Sequence, residues 1–158
     1  MSDGLGEWAE LEDGFGAPVA LVQNGAADGA GPEELPPLVY GSVDEFVREY
    51  LRHVYRRKIG GRGTGRVWAG EWWRYDEAVI RLEALWRAWE HLRQDAATGM
   101  SVWWRDHADP HMAVMLDPDG PFAGAEGDSN SSRAGEPLPY VAPPEGMFPD
   151  VREAPQEF

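Results

Sequence analysis

The chain has 158 residues, with 28 acidic against 14 basic side chains, 19 glycines, 13 prolines, 8 tryptophans and no cysteine. That length suits one domain of ordinary size, and the proline and glycine content points to disordered flanks around a smaller core. The lack of cysteine excludes a disulfide framework, thiolate zinc sites and a cysteine nucleophile. No run approaches the roughly 18 apolar residues of a membrane span, and the acidic N-terminus is unlike a signal peptide. A soluble, cytoplasmic protein with no membrane association is expected.

The charge is segregated along the chain. Residues 1–37 hold eight acids and no base, residues 38–122 thirteen acids and twelve bases, and residues 123–158 seven acids and two bases. Seven of the eight tryptophans fall between Trp68 and Trp104. Aromatics in one segment and net charge in the others describe one core and two solvated tails. The expected fold is all-α: a small domain of three to four helices over 38–122, with a disordered acidic N-terminal tail at 1–37 and a disordered Pro/Gly-rich acidic tail at 123–158.

In the first tail, Trp8, Leu11 and Phe15 recur at i, i+3 and i+7 among acids. This is the pattern of a short amphipathic segment that folds into a partner's groove, or of a tail with incidental aromatics. The first helix opens at Ser42, where a capping box with Glu45 satisfies orphan backbone N–H groups. Val43, Phe46, Val47, Tyr50, Leu51 and Val54 then form one apolar stripe. Gly60-Gly61 is expected to end this helix, after three cations suited to the negative end of its dipole.

A glycine-rich connection leads to the longest periodic segment, Glu71 to Gln94. Tyr75, Val79, Leu82, Leu85/Trp86, Trp89 and Leu92 recur at three- and four-residue steps, and Glu77/Arg81 and Glu83/Arg87 are acid-first i,i+4 pairs. Trp72, Trp73, Ile80 and Ala84 lie off that stripe, which predicts a central helix touched on two sides, closed by Gly99 as C-cap. Ser101 starts a short helix carrying Val102, Trp103 and Trp104. Asp109-Pro110 reads as a separate helix start, with His111 to Leu116 as its body; a short strand over Met112 to Leu116 is the weaker alternative. Asp117-Pro118-Asp119-Gly120-Pro121 is a hard stop. Pro137-Leu138-Pro139-Tyr140-Val141-Ala142-Pro143-Pro144 favours a polyproline conformation and suggests a linker or weak peptide ligand.

The strings Trp86-Arg87-Ala88-Trp89-Glu90-His91-Leu92-Arg93 and Gly99-Met100-Ser101-Val102-Trp103-Trp104-Arg105-Asp106-His107-Ala108-Asp109-Pro110-His111-Met112, followed by Gly120-Pro121-Phe122, resemble an actinobacterial family of no assigned activity, domain of unknown function 4913. The resemblance covers about Tyr40 to Phe122. It implies a helical domain and a context on plasmids, integrative conjugative elements or phages, and it brings no activity, cofactor or catalytic residue.

Among candidate sites, Asp106-His107-Ala108-Asp109-Pro110-His111 is the tightest polar cluster. Two imidazoles with flanking carboxylates suggest a divalent metal only if all share one helix face, and Pro110 argues for two helices instead. Asp109 as a cap, with structural histidines, is the simpler reading, so no catalytic, cofactor or metal site is assigned. Gly60 to Arg66 lacks the lysine and the strand–loop–helix setting of a phosphate loop. Arg48, Arg52 and Arg56 are spaced i, i+4, i+8, and Arg57, Lys58, Arg62 and Arg66 extend them into a basic strip. Such a strip suits phosphates or an anionic partner. The plain alternative is a solvated face, or a docking surface for the protein's own acidic tails. Trp72, Trp73, Trp103 and Trp104 are expected to leave some indole surface exposed as a partner interface. These features point to a non-enzymatic interaction module with an unidentified protein partner, or alternatively to a nucleic-acid-binding protein.

Overall fold

The computed structural model describes residues 35–60 and 65–153. The chain divides into two units, Met1–Pro36 and Pro37–Phe158, and the second is the one described here. The tail motif Trp8, Leu11 and Phe15, and Arg62 of the basic strip, lie outside the described residues.

Three helical runs make the fold mainly helical. Helix α1 joins α-helical Val43–Phe46, π-helical Val47–Leu51 and α-helical Arg52–Val54. Ser42 Oγ accepts from Glu45 N at 3.1 Å, as the capping pattern predicts. Glu45 Oε2 in turn accepts from one residue further out, Gly41 N, at 3.2 Å.

The π turn decides which face is buried. Arg52 N–H reaches back five residues to Val47 O, and the wider turn shifts the apolar row by one position. Tyr55, not Val54, therefore completes the buried row after Leu51, and Val54 is 38% exposed. The helix ends at Val54, ahead of the predicted stop at Gly60-Gly61, and Arg56, Arg57 and Lys58 lie beyond it in non-helical chain.

A 3₁₀ turn at Trp72–Arg74 precedes α2, Asp76–Leu92. This helix buries Ala78, Leu82, Leu85, Trp86, Trp89 and Glu90 and packs against both α1 and the third helical run. The predicted ion pairs form, Arg81–Glu77 at 3.3 Å and Arg87–Glu83 at 3.5 Å. Ile80, however, is 68% exposed and Ala84 is also exposed, so the apolar arc is narrower than the sequence suggests.

Helix α3 is one continuous run: α-helical Gly99–Val102, π-helical Trp103–Ala108 and α-helical Asp109–Leu116. Three expectations are corrected here. Gly99 opens this helix rather than closing α2, and a Cβ on it would collide with the Leu92 carbonyl. Asp109 is helical rather than a cap, and its carboxylate accepts from Tyr55 Oη at 3.0 Å. Pro110 does not separate two helices. The helix passes through it because the preceding π turn, marked by the Asp109 N–H to Trp104 O bond, widens the spacing where proline supplies no donor.

The domain boundary expected after Phe122 is also corrected. Residues 123–153 pack along the helices as a non-helical strap broken only by the 3₁₀ turn Asp128–Asn130. Ile59 and Ser132 form an isolated antiparallel bridge, with N–H···O distances of 3.0 and 3.1 Å. Leu138 is fully buried, and its N–H donates to Arg52 O at 3.0 Å. Val141 N–H reaches Gly70 O at 3.0 Å and Val151 N–H reaches Gly41 O at 2.9 Å. Gly70 is needed for that approach, because a Cβ there would lie 2.6 Å from Ser129 O.

The proline-rich stretch is thus a peptide ligand of its own domain. A polyproline-like backbone makes no bonds within itself, and two indoles satisfy its carbonyls. Trp68 Nε1 donates to Pro139 O and Trp73 Nε1 to Val141 O, each at 3.0 Å.

Candidate partner-binding surface

The aromatic surplus does not form an exposed platform. Trp72 and Trp103 are fully buried. Trp72 stacks on Phe148 of the strap at 5.3 Å, and Trp103 donates from Nε1 to Leu85 O at 3.0 Å. Trp73 is half-buried under Val141, and Trp104 stacks on Tyr55 with ring centroids 5.6 Å apart. The strap covers Trp72 and Trp73, whereas Trp103 and Trp104 pack against the helices themselves.

The polar residues Asp106, Asp109 and His111 of α3 are taken by different partners. Asp106 pairs with Arg105 at 2.8 Å, which lowers its carboxyl pKa. Asp109 is taken by Tyr55. His111 Nδ1 lies 3.0 Å from Arg81 Nη1, so it must accept, which requires a neutral imidazole. Burial, then the Arg81 charge, lower its pKa from 6.5. Among the described residues, no three His, Asp or Glu side chains meet in a metal-holding group.

Two carboxylates invisible as special in the sequence hold the fold's edges. Glu90, 5% exposed, accepts from Val39 N at 3.0 Å, from Tyr40 N at 3.0 Å and from Arg93 Nε at 2.9 Å. It tethers the segment before α1 to α2. Asp44 accepts from Tyr140 Oη at 2.6 Å and Arg48 Nη1 at 2.8 Å, joining α1 to the strap. Burial, then the bond to Asp44, push the Tyr140 phenol up to about 12. A buried helix residue with an acidic side chain at an otherwise apolar register, as Glu90 is beside Trp86 and Trp89, is the only sequence hint of such a role.

The basic strip divides into residues whose charge is compensated and residues whose charge is not. Arg48 drops out, since it pairs with Asp44 at 2.8 Å and Glu49 at 2.9 Å. Arg52 Nε donates to Leu138 O at 3.0 Å, and its guanidinium lies 5.5 Å from the Tyr140 ring centroid. Arg56 donates to His53 O at 2.8 Å and Gly135 O at 2.7 Å. Arg57 donates to Arg56 O at 2.8 Å and sits 4.4 Å over the Tyr55 ring. Lys58 is exposed, and Arg66 Nε donates to Lys58 O at 3.2 Å.

Carbonyl acceptors orient a guanidinium without cancelling its charge. Arg48, Arg74, Arg81, Arg87, Arg93, Arg105, Arg133 and Arg152 all lie within 3.5 Å of a carboxylate. Among the described residues, Arg52, Arg56, Arg57 and Lys58 form no such pair.

A family model described as a domain of unknown function (DUF4913) matches residues 40–144. The chain belongs to this family. The DUF4913 match extends beyond Phe122 through Leu138, Pro139, Tyr140 and Val141, so the indole-bound part of the strap lies within the family domain. No curated protein and no solved structure matches the chain.

Proposed function

We propose that the chain is a non-enzymatic protein-interaction module, an accessory factor of a plasmid, integrative conjugative element or phage that works in the cytoplasm. The observation that carries this reading is the division of charged groups. The buried carboxylates Glu90 and Asp44 and the half-buried His111 are spent on holding segments together, whereas the uncompensated cations Arg52 to Lys58 stand at the surface. That distribution serves binding rather than proton or group transfer. The mobile-element context comes from the family resemblance. Among the described residues, no helix is long and apolar enough to cross a membrane.

The test is affinity capture from the native host with the full chain as bait. A reproducible partner supports the reading. Turnover by the purified protein in a broad hydrolase panel, abolished by His107→Ala, would refute it. The same cations favour a second reading, a nucleic-acid-binding protein. It expects affinity that falls steeply with salt through counterion release, and absence of DNA and RNA binding at low salt would end it.

A further inference from the structure

We propose that the surface from Arg52 to Lys58 is a docking site for a short acidic segment of a partner protein. The inference rests on the protein-interaction reading and names its partner class. Eight arginines of the described residues sit against carboxylates. Four consecutive strip cations do not, although the chain carries 28 acids to 14 bases. In so acidic a protein, charge left over on one short stretch is cationic capacity directed outward.

The geometry prepares these groups for oxyanions. Arg52, Arg56 and Arg57 are each fixed by backbone carbonyls or an aromatic ring, so the entropy of ordering their long side chains is already lost. A guanidinium has five N–H donors, and these internal bonds use one or two on each. The remaining edges match the fork of a carboxylate. Exposed Val54 lies within the same stretch and offers an apolar contact between the charges.

Carboxylates at two places decide between an acidic peptide and a polynucleotide. Asp44 and Glu49 share the single cation Arg48 at the start of the strip and keep a net negative charge. Asp109, without a cationic partner among the described residues, holds the Tyr55 ring that carries Arg57. A phosphate backbone running past the strip meets these charges, and the net charge of −14 repels a polyanion in proportion to its own charge. A segment with a few carboxylates stays within the cationic stretch.

The test uses the full chain and fluorescence anisotropy. The probes are a labelled peptide of about twelve residues alternating Glu with Leu, and single- and double-stranded DNA of similar length, at about 50 mM salt where screening is weak. The strip variant Arg57→Glu/Lys58→Glu is compared with Arg87→Glu/Arg105→Glu, which carries the same total charge. Arg57→Gln/Lys58→Gln is the second strip variant should the first not fold by circular dichroism.

The expected result is peptide binding by wild type and control, weakened about tenfold or more in the strip variant. Equal affinity in strip and control variants overturns the proposal, as does no peptide binding by wild type. Tighter binding of either DNA than of the peptide also overturns it, in favour of nucleic acid. A captured host partner that the strip variant retains overturns the strip assignment while the interaction reading stands. Capture of no partner by wild type refutes that reading itself.

Discussion

Leu138→Ala tests whether the C-terminal strap is part of the folded core. Leu138 is fully buried. Its own N–H is bonded to Arg52 O and its carbonyl to Arg52 Nε, both at 3.0 Å. The next residue's carbonyl is held by Trp68 Nε1. With the backbone pinned on both sides, the strap has little freedom to collapse into the space left by the missing side chain. The cost therefore belongs in the upper part of the range for buried leucine truncation, about 4 kcal/mol. For a folded unit of this size that is a fall in midpoint of about 12–20 °C. Thermal and urea unfolding, followed by tryptophan fluorescence and far-ultraviolet circular dichroism, measure it. A solvated tail gives a change within about 0.5 kcal/mol. A result that small would refute the packing argument, and with it the extension of the domain beyond Phe122.

Further outcomes follow from the same contacts. Glu90→Ala leaves two backbone N–H groups and the Arg93 guanidinium short of an acceptor and is expected to cost about 3 kcal/mol; Glu90→Gln, which keeps one acceptor oxygen, costs about half of that. Urea titration of the two variants checks the ratio, and equal effects would argue against the charge-assisted bonds. Gly99→Ala places a methyl against the Leu92 carbonyl and is expected to destabilise by about 1–3 kcal/mol, where a helix-propensity argument alone predicts a gain. The Tyr140 phenol titrates near 12 in the folded chain against 10.0 for an unperturbed group. The folded state therefore holds its proton where the unfolded state has lost it, and stability declines as pH rises from 10 towards 12. Tyr140→Phe should flatten that decline, read from unfolding midpoints across the alkaline range.

The helices were legible in the sequence because their evidence is local. Ser42 and Glu45 announce a start, the steps from Leu82 to Trp89 announce a buried face, and Asp117 to Gly120 announce a stop; each needs only neighbours within a turn or two. The basic strip from Arg48 to Arg66 was equally visible. Tertiary structure decided what depends on distant residues. The π turns in α1 and α3 move Tyr55 into the core and carry the chain through Pro110, because shifted backbone bonds there are accommodated by packing that no local pattern encodes. Residues 123–153 looked solvated because acids, prolines and glycines crowd that segment. They pack on the helices because Trp68, Trp73, Arg52 and Asp44, remote in sequence, supply partners for a backbone that does not bond to itself. For the same reason, only the fold could show which cations of the strip had found carboxylates and which had not.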